Sequence, residues 1–507
     1  MCGNKEYGDY QTPVSFSAEI CNYLKNVRNL SPDIVIEPTC GIGNFIESSF
    51  VFKAKKYYGI EINKEYCDYC IDKFKNENVE IVNKDFFEVD MSKLPVQGST
   101  LFIGNPPWVN NSLLSAMGSS NLPKKANIKG LCGFDAITGA SNFDICEYII
   151  LKIISQFRNS NSTIAMLCKT SVARNIFKEL IRQQVPCSCC DIIEFDALKV
   201  FNVNANACLL YVQLSNCKQF VDKCNVFSLN APISPIYSFG YKNNKFYSDL
   251  SLASKDFDGH CCFEWRQGVK HDCSKIMELR DQNNQFINGK NEAVEIEQDI
   301  VFPLIKSSMF KSPVINNFSK YVIVTQRKIN ENTEHLKIDF PKAWEYLEKN
   351  KSLFEKRKSS IYYGAPQFSM FGIGDYSYSK YKVGISGFYK EPMFSVLYSD
   401  DGKPVMVDDT CYFICFSEYE DAYIAMLYLN SSDVNNFLKN ISFCDSKRPF
   451  TKKVLERIDF TKIVSEITFE ELKSTETRLN LDNYLTLEML DNFLYVPEMR
   501  QISLLTN

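Results

Sequence analysis

At 507 residues the chain is long enough for two or three domains, and with 45% hydrophobic and 23% charged residues it has the composition of a folded protein rather than a disordered one. No unbroken apolar run reaches the length of a membrane span, and Met1-Cys2-Gly3-Asn4-Lys5-Glu6 lacks the apolar stretch of a secretory signal, so a cytoplasmic protein with no membrane partner is expected. A formal charge of −4 does not mark the whole chain as a nucleic-acid binder, and twenty cysteines scattered over this length read as reduced, mostly buried thiols rather than a disulfide frame.

Tyr10-Gln11-Thr12-Pro13 leads into helical apolar spacing from Val14 to Leu24, where a capped helix is expected. Asp33-Ile34-Val35-Ile36-Glu37 reads as a buried parallel strand, followed by Pro38-Thr39-Cys40-Gly41-Ile42-Gly43, a glycine-rich turn that opens a helix. The glycines let a ligand approach the backbone, and the helix amino end favours a carboxylate or phosphate. A dinucleotide fingerprint would place a third glycine at Ile46, so the nicotinamide reading is weak.

A second strand, Lys56 to Ile60, ends in Glu61, where a carboxylate can accept from ribose hydroxyls. A third, Val79 to Asn83, is followed by Asp85-Phe86-Phe87, an acceptor and an apolar wall suited to an adenine amino group and ring. A fourth, Leu101 to Gly104, delivers Asn105-Pro106-Pro107-Trp108. Two prolines remove two backbone donors and fix φ, leaving the Asn amide oxygen and nearby carbonyls as rigid acceptors for an NH2 group. Trp108 adds a flat surface on which a planar base can stack. Taken alone, the stretch reads equally well as a proline turn with a buried tryptophan. Ligand groups at successive strand ends are nevertheless the arrangement of an open α/β sheet.

The loop from Val109 to Ser141 holds Lys124, Lys125 and Lys129, placed to touch a DNA backbone if the loop is a lid. The pattern changes at Ala231-Pro232-Ile233-Ser234-Pro235, which sets the expected boundary between a domain of residues 1–235 and one of 236–507. In the second, Lys342 to Lys358 and Glu418 to Lys439 read as helices, Val383 to Tyr398 and Thr410 to Phe416 as strands. Lys and Arg outnumber Asp and Glu 12 to 6 from Val301 to Lys358 and 5 to 1 from Lys439 to Lys453, so a duplex can meet a positive face on an acidic protein. Cys67-x-x-Cys70 and the group His260-Cys261-Cys262 with His271 and Cys273 lack a complete zinc spacing, and no metal is expected.

The order of these motifs resembles the gamma-class (TaqI-like) N6-adenine DNA methyltransferases of restriction–modification systems. The resemblance rests on Gln11-Thr12-Pro13, Glu37 to Gly43, Gly59-Ile60-Glu61-Ile62, Asp85-Phe86-Phe87, Asn105 to Trp108, Asn142-Phe143-Asp144, Ile164 to Leu167, and Val200-Phe201-Asn202 with the following Ala205 to Val212. It implies a Rossmann-like S-adenosylmethionine-dependent domain, a mostly parallel twisted sheet with helices on both faces, followed by a mixed α+β target-recognition domain. It further implies that Thr12, Glu37, Gly41 and Gly43 hold the methionine part of S-adenosylmethionine, Glu61 with Ile62 its ribose, and Asp85 with Phe86 its adenine. Phe143 and Asp144 match a motif that helps to close that pocket. Asn105, Pro106, Pro107 and Trp108 would accept the target amine, with Phe201 supporting the flipped base. Cys40 stands where the family often has Ala, and Trp108 where it often has Tyr or Phe.

Lys382 to Tyr389 and Asp445 to Thr451 resemble parts of the family's recognition region, which adds Lys447 and Arg448 as DNA contacts. Double-stranded DNA, a separately encoded restriction endonuclease and a monomeric enzyme complete the expectation. Three alternatives stand beside it: methyl transfer to RNA, methyl transfer to a protein glutamine amide, and a catalytically silent DNA-binding subunit. Pro186-Cys187 lies outside the strand-end slot held by Asn105, which disfavours cytosine-C5 chemistry.

Overall fold

The computed structural model describes residues 11–91, 98–109, 144–252, 254–443 and 446–493, and the chain divides into two units, residues 1–251 and 252–507. In the first unit, short apolar runs become strands β1 (Ile34–Glu37), β2 (Lys56–Glu61), β3 (Val79–Asn83), β4 (Thr100–Gly104) and β5 (Ser162–Lys169). They are followed by β6 (Cys187–Asp196), β7 (Asn206–Leu214), β8 (Lys223–Ser228), β9 (Tyr237–Lys242) and β10 (Lys245–Tyr247). All ten form one sheet in the order β10-β9-β8-β6-β7-β5-β4-β1-β2-β3. The run from β3 to β5 is parallel, and β7 lies antiparallel between β5 and β6. Every residue of β1 and β4 is buried, as expected of strands covered on both faces. Strand order reverses between β1 and β4, and a Rossmann-like sheet binds its ligands at the carboxyl edge of such a switch point.

Among the described residues six helices flank the strands: α1 (Val14–Asn26), α2 (Asn44–Ser49), α3 (Lys64–Lys73), α4 (Ile145–Phe157), α5 (Thr170–Arg182) and α6 (Ala197–Phe201). In α5, Val172, Ala173, Ile176, Phe177 and Leu180 are buried along one stripe, the spacing that drives a helix onto a sheet. Asn63 caps α3 by accepting from the Glu65 and Tyr66 N–H groups. The start of α1 differs from expectation: Pro13 precedes it and no side chain caps it. Contacts with α2 hold it instead, since Asn44 Nδ2 donates to the Thr12 carbonyl at 2.8 Å and the Ser17 and Ser48 hydroxyls meet at 2.7 Å. Beyond its far end, Arg28 pairs with the buried Asp191 at 2.6 Å and lies over the rings of Tyr211 and Phe227.

Ala231 to Pro235 proves to be a turn inside this sheet, because β9 and β10 follow it and continue the pairing from β8. Prolines without apolar periodicity mark a turn as readily as a linker, and the division falls at residue 251.

The second unit contains a five-stranded sheet, ordered Arg266–Gln267, Cys411–Phe416, Tyr381–Ser386, Phe394–Leu397 and Val314–Ile315. A six-stranded sheet runs Ala293–Val294, Gln285–Asn288, Glu278–Gln282, Lys320–Ile323, Val301–Ile305 and Met406–Val407. Both expected long helices are broken, into Pro341–Lys349 and Lys351–Glu355 at Asn350, and into Tyr419–Asn430 and Ser432–Ile441 at Ser431. The Ser431 hydroxyl accepts from the Val434 N–H and so starts a new helix rather than continuing the old one. The expected strand from Val383 to Tyr398 likewise splits into a hairpin, Tyr381–Ser386 and Phe394–Leu397. Among the described residues no helix is long and apolar enough to cross a membrane.

Candidate active site

The switch point is built first from the glycine turn. Gly41 and Gly43 have φ of +52° and +79°, where an L side chain is strained. A Cβ on Gly41 would lie 2.9 Å from the Gln11 amide, and one on Gly43 would lie 2.6 Å from the Phe74 ring. The Gln11-Thr12 segment therefore lies directly against the turn, as the motif order anticipates. Glu37, at the end of β1, is 3% exposed and accepts from the Ile46 N–H at 3.2 Å. Burial pushes its carboxyl well above the usual carboxylate range, and the charges of Cys70 and Glu61 add to this while the Ile46 N–H and Lys73 oppose it. The Thr39 hydroxyl in the same turn is buried without a hydrogen-bond partner among the described residues.

Glu61 ends β2 and ties the turn to α3: one carboxylate oxygen accepts from the Gly41 N–H and the other from the Asn63 N–H, both at 2.7 Å. Ile62 beside it is exposed. Asp85 accepts from the Phe87 N–H at 2.8 Å and starts a single helical turn that buries Phe86. That turn is clamped by Lys152 of α4, whose ammonium donates to the carbonyls of Phe86, Phe87 and Val89 at 2.8, 2.9 and 3.0 Å. It also lies over the Phe86 ring, 4.9 Å from its centre. Burial lowers the Lys152 pKa, and Asp85 and Asp90 work against that. Sequence reasoning missed Lys152; its signal was a lone basic residue inside the apolar run Ile145 to Phe157.

Asn105 is half-buried just past β4, and a Cβ on Gly104 would lie 3.2 Å from Glu37 Cγ, so the Asn105–Trp108 stretch starts against the Glu37 side chain. Trp108 is buried and donates from Nε1 to the Leu167 carbonyl at 3.3 Å. Its ring meets Phe201 of α6 edge-on at 5.6 Å, and Phe201 in turn meets Phe16 of α1 and Phe195 of β6 at 6.1 and 6.2 Å. Two tethers hold the stretch from behind. Lys169 Nζ donates to the Trp108 carbonyl at 3.1 Å and to Asp144 Oδ2 at 2.7 Å, and the Ile145 N–H donates to the Val109 carbonyl at 3.0 Å. Asp144 also caps α4 through the Cys146 N–H. Burial raises its carboxyl above the ordinary value even though Lys169 pulls it down. Lys169, Phe16 and Phe195 were not singled out from the sequence, because nothing local marks a lysine at a strand end or a helix phenylalanine as part of a site.

In the second unit, Arg448 lies over the Phe388 ring at 4.9 Å, which brings together the two segments expected to recognise DNA, while Lys447 beside it is exposed. His271 is buried, accepts from the Cys273 N–H and lies 3.7 Å from Glu278. No group of three or more His, Cys, Asp or Glu side chains is placed to hold a metal among the described residues. Lys124, Lys125 and Phe143 lie outside the described residues.

The chain matches no protein-family model. It is 40% identical over 476 residues to the type II methyltransferase M.NspV of Nostoc sp., an alignment that covers 91% of this chain and 98% of that protein. A 192-residue stretch is 24% identical to the modification methylase CviBIII of Paramecium bursaria Chlorella virus NC1A, covering 38% of this chain and 45% of the relative. Among solved structures, the type IIL restriction–modification enzyme MmeI in complex with DNA shares the fold with a TM-score of 0.53 and 14% identity, over 97% of this chain and 74% of that one.

The residues at the switch point fit a methyl donor that carries both an ammonium and a sulfonium charge. Glu37 is a buried carboxyl short of compensating charge, Thr39 offers an unused buried hydroxyl, and the glycines let Gln11 and Phe74 close directly onto the turn. The chain belongs to the type II methyltransferases of restriction–modification systems, with S-adenosylmethionine as its methyl donor.

Proposed function

We propose that the enzyme methylates the exocyclic N6 of adenine in double-stranded DNA, in the manner of the gamma class. The observation that carries this reading is the Asn105–Trp108 stretch itself: Gly104, just before Asn105, set against Glu37, Trp108 held by Leu167, and the segment behind them fixed by Lys169. An aromatic amine is a weak nucleophile because its lone pair is delocalised into the ring. Asn105 Oδ1 and the Pro106 carbonyl accept its two N–H bonds, which turns the nitrogen toward tetrahedral geometry and frees the lone pair for transfer. Trp108 and Phe201 hold the ring of a base turned out of the helix stack, a move that costs a few kcal/mol and is offset by stacking of about 1–3 kcal/mol per base.

S-adenosylmethionine supplies an electrophilic methyl group on a sulfonium sulfur. Glu37 and the glycine turn receive its methionine end, Glu61 and Ile62 its ribose, and Asp85 and Phe86, braced by Lys152, its adenine. The second unit reads the target sequence through a surface that includes Lys447 and Arg448. The enzyme acts as a cytoplasmic monomer and protects DNA from a separately encoded endonuclease.

Duplex DNA treated with the enzyme and isotopically labelled methyl donor, then digested to nucleosides, should carry the label as N6-methyladenine. Label in a methylcytosine, or transfer to RNA or a protein glutamine with none to duplex DNA, would overturn the assignment.

A further inference from the structure

A polar cavity of about 510 Å³ opens in the second unit, with Phe388 on its wall. The charges on its wall, and Arg448 beside it on Phe388, are not equally satisfied. Lys306 Nζ lies 2.6 Å from Glu278 and 3.4 Å from Asp408, and Asp408 also accepts from the Thr410 N–H at 3.0 Å. Those three side chains answer one another. Arg448 and Asp409 do not follow that pattern: both are half-buried, and neither side chain has a hydrogen bond or ion pair among the described residues. The Arg448 guanidinium is laid on the Phe388 ring, 4.9 Å from its centre. Burial and the neighbouring Asp408 hold the Asp409 carboxyl above its ordinary range, while Lys270 and Arg448 draw it back, so Arg448 and Asp409 feel each other's charge.

We infer that Arg448 and Asp409 form a reading pair for the major-groove edge of one guanine–cytosine base pair. This rests on the reading of the enzyme as one that acts on duplex DNA. A guanidinium is a planar fork of donors, and contact with an aromatic ring restricts where it can sit before DNA arrives. Guanine presents two acceptors, N7 and O6, which match that fork, and its cytosine partner presents the N4 amino donor, which a carboxylate accepts. An adenine in the same place would set its N6 amino donor against the guanidinium donors. A phosphate, the other common partner of arginine, would bring negative charge beside Asp409 and Asp408, and like charges at such range repel. A donor fork next to an acceptor carboxylate therefore selects an edge that carries both kinds of group.

The test uses the full-length enzyme and short duplexes carrying its methylated site, mapped by modification-sensitive sequencing, with each base pair exchanged in turn. Arg448→Ala and Asp409→Ala should each lower kcat/KM on the natural site about 5- to 150-fold, the range for losing one good base contact. Both variants should also become indifferent to exchange of one guanine–cytosine pair, the same pair in each. Arg448→Lys, which keeps the charge but not the fork, should bind unrelated duplex DNA like the unmodified enzyme yet lose the same discrimination, as read by fluorescence anisotropy. Unchanged melting and S-adenosylhomocysteine affinity identify variants that have folded.

A uniform loss on every duplex, with a salt dependence shallower by about one counterion, would assign Arg448 to the backbone and overturn the proposal. A methylated site without any guanine–cytosine pair would overturn it too. If the unmodified enzyme methylated no duplex DNA at all, the reading of the acceptor site would fail first and this proposal with it.

Discussion

Lys169→Met removes the ammonium that joins the acceptor stretch to α4. In the structure its Nζ bonds the Trp108 carbonyl at 3.1 Å and Asp144 at 2.7 Å, with the two side chains 29% and 7% exposed. Removing one partner of a buried ion pair costs about 3–5 kcal/mol because the other charge is left uncompensated. Partial exposure of Lys169 reduces that figure, and Asp144 can shed its charge by taking a proton, so a loss of about 2–4 kcal/mol at neutral pH is expected. For a unit of this size that corresponds to a melting temperature lower by roughly 5–15 °C.

The sign of the pH dependence follows from the raised Asp144 carboxyl. Its burial cost is absent below the ordinary value of 3.8 and grows as pH rises through the higher folded value, which goes up further once Lys169 is gone. The gap in stability between variant and unmodified enzyme should therefore narrow in mild acid. Because the Trp108 carbonyl also loses its tether, methyl transfer should slow roughly 10- to 100-fold, the range for a misplaced reacting group. Binding of S-adenosylhomocysteine, measured by calorimetry, should change less than about threefold. Adding Asp144→Asn should restore much of the stability without restoring the rate. A Lys169→Met enzyme that melts and methylates like the unmodified one would refute the tether argument.

Lys152→Met removes three hydrogen bonds to the carbonyls around Phe86, and should weaken S-adenosylhomocysteine binding about 10-fold or more while kcat at saturating donor stays within about threefold. Titration calorimetry with an unchanged Kd would count against the proposed adenine end. Lys382 is fully buried in the second unit, donates to the Ser379 carbonyl at 2.6 Å, and is lowered by burial from 10.5 to about 8. The unfolded chain holds this proton up to pH 10.5 and the folded one only to about 8, so stability should rise with pH across that window. Lys382→Met should flatten the rise and stabilise the protein at neutral pH by up to roughly 3 kcal/mol, visible in urea unfolding; a variant that keeps the slope would place its origin elsewhere.

Much of the first unit can be read in the sequence because its determinants are local. Apolar runs at β1, β2 and β4 mark the buried parallel strands, and Gly41 and Gly43 stand where the backbone needs φ that other residues avoid. What the sequence hides is long-range. Lys169 reaches Asp144 and Trp108 across 25 and 61 residues, Lys152 reaches Phe86 across 66, and Arg28 reaches Asp191 across 163. No periodicity points to such pairs. The second unit is harder to read for another reason. Asn350 and Ser431 interrupt continuous helical patterns by bonding to the backbone, so the pattern overstates helix length. Pro232 and Pro235 similarly mark a turn in the first sheet rather than its end.

Whether Asn105 receives the target amine is measured most directly by single-turnover methyl transfer to duplex DNA with the Asn105→Ala enzyme. A fall of about 100- to 1000-fold is expected, comparable to the loss of one group that stabilises a transition state, with S-adenosylhomocysteine affinity and melting close to those of the unmodified enzyme. Transfer to adenine at the unmodified rate would contradict it.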